Sequence, residues 1–546
     1  MAKKDQDPNP IILKRGIGIG SVNAENDDEF LFDCFVDYPP VEEAMRLTSP
    51  AMIVAGRTGE GKTAILRHIE RECEHSAVID PSEMSMSYVS NSDALRFLTA
   101  IGADLDLLFQ VLWKHVLCIE YIRIRWDVDS TQKSRNIFTR ITDRFHRDER
   151  KKKAINYLQE WQGKFWITMD QNIKEITEAY ESKILAEMGG EVEKFKAGGQ
   201  YEKRLSTEKK SELVARSRKI INADQLSELH GIIDMLSIAD SDQTKAYYLL
   251  VDRLDERWVD ESIRFKLIKA LIETLKSFRK IKNLKILVAL RIDVFERVVQ
   301  ETTDISFQRE KYEDNMIRLS WTKQEIKELV DRRIETLFKR KYTSASVRFE
   351  DVFPTKIANK DAFDWMCERT LMRPRDIIAF VNEALDSASG HATVSNAALR
   401  KAEGEFARKR KDALIQEWKS AYPALEKMLN IFARKKKPII EFRELVTDAD
   451  ADAVALDLCD PSFANDPVAA ECQIYVNSKG ASPLVFMQFL VATLYRSGAV
   501  GLKLDTSEPY VYSHLNQPLV SRHLIRDSTK IRLHPMLHAA FHLHEV

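Results

Sequence analysis

An α/β fold with a parallel sheet is what this sequence predicts, and three observations predict it. Short apolar runs at 51–55, 77–80, 247–251 and 285–290 read as buried strands. Stretches of helical spacing separate them, as in a parallel sheet covered on both faces. The first run leads directly into a glycine-bearing loop, Gly56-Arg57-Thr58-Gly59-Glu60-Gly61-Lys62-Thr63, and then into a helix over 64–74.

With 546 residues the chain exceeds one compact core, so it divides into domains. Hydrophobic residues make up 44%, enough for globular packing throughout. Lys+Arg (83) and Asp+Glu (84) nearly cancel, which excludes a generally basic nucleic-acid coat and leaves only local patches. No apolar stretch follows the lysines at the start, so no signal peptide is expected. The longest apolar stretch, 484–495, is too short to span a bilayer and is interrupted by Gln488. Six cysteines without a CxxC pair read as buried free thiols of a reducing cytosol, and a cytoplasmic location is expected.

Residues 1–50 read as a lead-in segment carrying Gly16-Ile17-Gly18-Ile19-Gly20. This is not a GxGxxG pattern, and it reads as a flexible loop rather than a second phosphate site. The core spans 51–320. Within it, 127–244 is dense in Lys, Glu, Arg and Gln, contains Gly198-Gly199, and reads as a helical insertion. Such a block is either a surface for self-association or partners, or a solvated decoration. A helical lid module is expected over 321–402, with helices at 323–339, 360–368 and 374–388. The last part, 403–546, has a charged helix, the basic run Arg434-Lys435-Lys436-Lys437, an acidic stretch over 448–460 and a helix over 483–497. A Gly-bearing hairpin, 498–504 with 510–512, then completes the outline of a winged helix.

The loop matches GxxxxGK[ST] at every fixed position. Gly56, Gly59 and Gly61 let backbone amides converge on phosphate oxygens, with Thr58, Glu60 and Ala64 completing the cradle. Lys62 is the group for the β/γ phosphates, and Thr63 supplies a hydroxyl to Mg²⁺. The helix that follows presents its N-terminal dipole to an anion. ATP and Mg²⁺ are therefore the expected cofactors.

The run Val251-Asp252-Arg253-Leu254-Asp255-Glu256 puts a carboxylate at a strand end, and Asp252 is the candidate second metal group. Many ATPases carry Glu directly after this Asp, but Arg253 stands here. Asp255 or Glu256 must then polarise the attacking water, or hydrolysis is weak; Asp255 is favoured, with helix capping as its rival. Arg291, at the end of the 285–290 strand, is a candidate γ-phosphate sensor, unless it simply pairs with Asp293. Arg375, in Arg373-Pro374-Arg375-Asp376, is a second sensor candidate, although Pro at a helix start is expected in any case. His534, His538, His542 and His544 read as packing histidines rather than metal ligands.

Assembled, these residues resemble a bacterial family of P-loop ATPases related to the STAND and KAP groups and, more distantly, to AAA+ proteins. The resemblance rests on Ala24-Glu25-Asn26-Asp27, Cys34-Phe35-Val36-Asp37, the Gly56–Thr63 loop, Val251 to Glu256, Leu290-Arg291-Ile292-Asp293, Leu319-Ser320-Trp321 and Arg373 to Asp376. Weaker matches are Gly498-Ala499-Val500-Gly501 and His534-Pro535. The resemblance implies an ATP-driven switch or homo-oligomerising ATPase, often encoded in mobile or phage-defence regions, that controls a co-encoded effector protein. Arg253, where KAP relatives carry a second acid, implies slow turnover. The alternative is a DNA-acting ATPase of the initiator or loader kind, motivated by the winged-helix outline and the run 434–437. No membrane partner is expected.

Overall fold

The computed structural model describes residues 12–82, 104–128, 149–161, 223–238, 245–301, 314–342, 345–478, 482–515 and 519–543, with isolated residues between them. Most of the insertion expected over 127–244, including Gly198-Gly199, and His544 lie outside the described residues. The chain divides into two compact units. One comprises 39–56 and 65–318, the other 1–38, 57–64 and 319–546.

The first unit is α/β. Its sheet is parallel, in the order β2-β3-β4-β1-β5, with β1 Ile53–Gly56, β2 Ser76–Ile79, β3 Tyr247–Val251, β4 Leu284–Arg291 and β5 Met316–Arg318. β1 and β3 are buried at every position, as unbroken apolar runs in a sheet covered on both faces should be. The edge strand β2 is less apolar and leaves Val78 exposed. After β1 the chain crosses to β2 at one edge, returns through β3 and β4, and passes β1 to reach β5. The carboxyl ends of β1 to β4 therefore lie along one side of the sheet, where open α/β sheets bind ligands.

Helices of this unit include α1 Pro39–Met45, α2 Lys62–Glu72 (its first turn counted with the other unit), α3 Asp106–Trp126, α4 Ala223–Ser237, α5 Glu261–Phe278 and α6 Ile292–Glu301. The apolar faces of α3 and α5 join the strands in one core. Described parts of the 127–244 stretch join this core as well: Tyr157 and Phe165 meet the buried His115 of α3, the phenol 3.0 Å from its Nδ1 and the Phe165 ring stacked at 3.7 Å. Lys285, inside β4, is buried because its Nζ donates to the Arg46 and Ser49 carbonyls. Burial drives its pKa down to about 8.

The second unit holds two further cores. In one, α7 Lys323–Lys341, α8 Ala362–Cys367, α9 Pro374–Ser387 and α10 Asn396–Trp418 pack together, with the β6 Lys356–Ile357 and β7 Lys360–Asp361 hairpin beside them. Leu13, Ile17, Ile19, Phe30, Cys34 and Val36 of the lead-in segment complete this core. The Gly16–Gly20 stretch is tied along α9: Gly16 N donates to Asp386, Ile19 N to Asn382, and Asn382 returns its amide to the Gly20 carbonyl. A Cβ at Gly18 would stand 2.7 Å from Asn382 Oδ1, so the close approach requires glycine.

The other core contains α11 Leu425–Lys435, α12 Asp448–Leu458, α13 Pro467–Asn477, α14 Leu484–Ser497 and an antiparallel sheet in the order β8-β10-β9. Its strands are β8 Ile439–Glu441, β9 Val500–Lys503 and β10 Lys530–Leu533. The expected pairing of 498–504 with 510–512 is present as one antiparallel bridge, Leu502 with Val511, and the ladder of β9 is formed with β10. The acidic stretch is mostly helix α12, started by the Thr447 cap. Cys459 is exposed, which corrects the expectation that the thiols are all buried. Among the described residues no helix is long and apolar enough to cross a membrane.

Candidate functional site

The glycine-bearing loop lies between β1 and α2, and its shape follows from its sequence. Gly56 ends β1, buried and in register with Arg291 of β4. Gly59 and Gly61 adopt φ of +85° and +100°, the left-handed region that other residues avoid. Glu60, buried in the turn between them, accepts from the Arg57 amide at 2.7 Å. Burial raises its pKa; Arg57, Lys62 and Arg373 pull the other way without reversing it. Lys62 and Thr63 open α2, with Ala64 next, so the loop amides stand at the N-terminus of an 11-residue helix. Lys62 Nζ donates to the Arg57 carbonyl at 2.9 Å. The Thr58 hydroxyl is buried and finds no hydrogen-bond partner among the described residues.

Several side chains of the same unit hold this loop. The Trp321 indole donates to the Glu60 carbonyl at 2.9 Å and lies 4.3 Å from the Tyr38 ring. Arg373, fully buried, donates from Nη1 to the Thr58 carbonyl at 2.5 Å. Arg375, the sensor expected from the sequence, touches the loop with its backbone: its amide donates to the Gly59 carbonyl at 3.3 Å. Its guanidinium donates instead to Asn23 Oδ1 at 2.9 Å and to the Val22 carbonyl. The Arg373 guanidinium, two residues earlier, meets the loop as well. Asp376, one turn into α9, was the available signal, because a buried Arg needs such a counter-charge.

In the other unit the strand ends carry the acids. Asp252 follows β3, its amide donating to the Ile79 carbonyl and its Oδ1 accepting from the Arg253 amide at 2.9 Å. Arg253 has φ +59° and directs its guanidinium to Asp80, which follows β2, at 2.9 Å. Burial alone would raise the Asp80 carboxyl, but bonds from Ser82 and Arg253 turn the net shift downward. Arg291 lies between two acids, with Nη1 3.2 Å from exposed Asp255 and Nε and Nη2 bonded to Asp293. The sensor candidate and the favoured base candidate are thus ion-paired with each other. Glu256 is exposed and 3.7 Å from Arg253 Nε.

The terminal histidines act locally. His534 Nδ1 accepts from Met536 N and caps a helical turn; His538 Nε2 lies 2.8 Å from the Leu533 carbonyl. Burial drives the His534 pKa to about 3. Of the basic run, Arg434 pairs with Asp457, Lys435 with Asp450 and Lys437 with Glu444.

Comparison with known proteins gives two likenesses. Residues 324–415, which comprise α7 to most of α10, match the family described as a FunZ-associated C-terminal helical domain. Arg373, Arg375 and Asp376 all fall within that stretch. A curated protein of Escherichia coli (strain K12), named "Putative transposon gamma-delta 80.3 kDa protein", is 19% identical over 513 residues, covering 92% of this chain. The chain spans 64% of that relative's length. No solved structure matches.

Proposed function

We propose that this protein is a P-loop nucleoside triphosphatase that acts as a slow, ATP-dependent regulatory switch. One observation carries the reading: the GxxxxGKT loop joins an inner strand of a parallel sheet to the N-terminus of a helix, with Gly59 and Gly61 in positive φ. The loop's chemistry fits a triphosphate. Its glycines keep the backbone open, its lysine and threonine begin the helix, and the buried Thr58 hydroxyl is left without a partner. Gly56 to Ala64 would cradle the phosphates, Lys62 would neutralise their charge, and Thr63 would hold Mg²⁺, which supplies Lewis-acid polarisation of the phosphoryl group; Asp252 is the candidate second metal group. Asp255, oriented by Arg291, is the favoured group to accept a proton from water, and Glu256 is the alternative.

A switch rather than a motor is favoured by Arg253, whose guanidinium is committed to Asp80 in the position of a second acid. The resemblance to STAND and KAP ATPases adds a cytoplasmic homo-oligomer controlling an effector, and antiviral defence as its setting. The relative's name places that protein on a transposon, which agrees with a mobile-element context. The antiparallel order β8-β10-β9, in one core with α11 to α14, supports the winged-helix reading of the last domain. The DNA-acting alternative draws less support from the run 434–437 than the sequence alone gave it, because three of its four cations are ion-paired.

The test is equilibrium binding and hydrolysis of Mg-ATP by the wild type and Lys62→Ala, followed by native mass measurement with ATP, ADP and no nucleotide. Binding that is lost in Lys62→Ala supports the reading. Equal or absent binding in both proteins removes it, and a mass unchanged by nucleotide removes the oligomerising form of the switch.

A further inference from the structure

The first variable position of a GxxxxGK[ST] loop is fixed to no residue type; here it is an arginine that is buried to 9% exposure. A guanidinium is withdrawn from water only where acceptors replace it. Arg57 Nη2 donates to Ser513 Oγ at 2.8 Å and to the Arg496 carbonyl at 3.3 Å, partners 456 and 439 positions away in the last domain. Gly498 ends α14 with φ +87°, and a Cβ built there would stand 2.9 Å from Arg57 Nη1. The backbone of Arg57 is tied equally closely to the loop. Its amide donates to Glu60, and its carbonyl accepts from the Glu60 amide at 3.3 Å and from Lys62 Nζ at 2.9 Å. One residue therefore joins the carbonyl on which Lys62 rests to the end of α14 and to Ser513.

We infer that Arg57 is a positioning residue: the last domain, through Arg496 and Ser513, sets the shape of the phosphate loop and with it the affinity for Mg-ATP. The inference rests on reading that loop as a nucleotide site. It makes the last domain part of the nucleotide machinery through the loop's own Arg57.

The experiment compares the full chain with Arg57→Ala, Arg57→Lys and Ser513→Ala in two measurements. These are the dissociation constant for Mg-ATP and the hydrogen exchange of amides 57–64 without nucleotide. Arg57→Ala is expected to weaken Mg-ATP binding about tenfold, the size of a lost charge-assisted contact. Ser513→Ala should move it the same way by a smaller factor. Arg57→Lys should restore part of the loss, because an ammonium lacks the guanidinium's fork. Exchange over 57–64 should quicken in Arg57→Ala and Ser513→Ala, with the unfolding midpoint of Ser513→Ala kept. Unchanged affinity and unchanged exchange in both variants overturn the inference, and so does a loss in Arg57→Ala with no counterpart in Ser513→Ala. If the wild type binds no Mg-ATP, the nucleotide reading falls. The exchange rates then decide the positioning role: quickening supports it and equality overturns it.

Discussion

Arg373 and Asp376 form an ion pair with Nε and the carboxylate 3.0 Å apart and neither side chain more than 1% exposed. Arg410 approaches the same carboxylate at 3.4 Å, and the Leu371 amide donates to it at 3.0 Å. Replacing Asp376 by Ala would remove a shared counter-charge from two buried guanidinium groups, leaving Arg373 its Glu417 partner. Such losses cost about 3–5 kcal/mol. Urea denaturation of Asp376→Ala is expected to show a midpoint reduced accordingly; a change under about 1 kcal/mol would contradict this account.

The same pair predicts a pH dependence. Burial pushes the Asp376 carboxyl upward, but Arg373, Arg410 and the Leu371 amide more than reverse it, so the net shift is downward from 3.8. A carboxyl lowered in the folded state adds stability that is fully present above its unfolded value and is lost as pH falls through its folded value. The stability gap between wild type and Asp376→Asn should therefore hold from neutral pH down to about 4 and narrow only below that. A gap that closes between pH 7 and 5 would point to another group.

Asp27 and Arg333 make a second buried pair at 2.6 Å, and Arg333 also donates to the Ile19 carbonyl. Arg333→Ala is expected to cost about 3 kcal/mol and to loosen residues 13–36 from α7. Limited proteolysis checks this: cleavage within 13–36 should precede cleavage elsewhere in the variant and not in the wild type.

Hydrolysis offers a fourth check. If Asp255 accepts the proton from water, Asp255→Asn lowers the rate by about a hundredfold or more while Mg-ATP affinity stays near wild type. Glu256→Gln should do less. The reverse ranking in steady-state ATPase assays would move the role to Glu256.

Lys435 tests the meaning of the basic run. Its Nζ bonds Asp450 and the Glu444 carbonyl, so Lys435→Ala should lower stability by about 1 kcal/mol. It should leave the salt dependence of any DNA binding unaltered. A shallower salt slope in the variant would revive a DNA contact there.

The parallel sheet was legible because its strands are unbroken apolar runs, and Tyr247–Val251 ends where the sequence reading ended it. The loop was legible because its turn needs positive φ at Gly59 and Gly61, which favours glycine there. What escaped were relations between distant residues. Strand β5 has three residues and β8 has three, too short for a period to register. Asp376 lies close in sequence to both Arg373 and Arg375, and it is the folded module, with Glu417 at 3.2 Å, that makes the first the buried one. The basic run read as a patch because its acidic partners, Asp450 and Asp457, lie on a different helix.

The packing of residues 13–36 against α7, α9 and α10 also fixes an order of events during synthesis. Leu13, Ile17, Ile19 and Phe30 leave the ribosome long before the helices that bury them. About 290 residues separate Val36 from Ile326, and at ~5–20 residues per second the wait is roughly 15–60 s. For that time the nascent chain carries an apolar head with no place to go, while the sheet unit can form behind it. A holding chaperone that recognises these first residues would raise the yield of folded protein more than one acting on the finished chain.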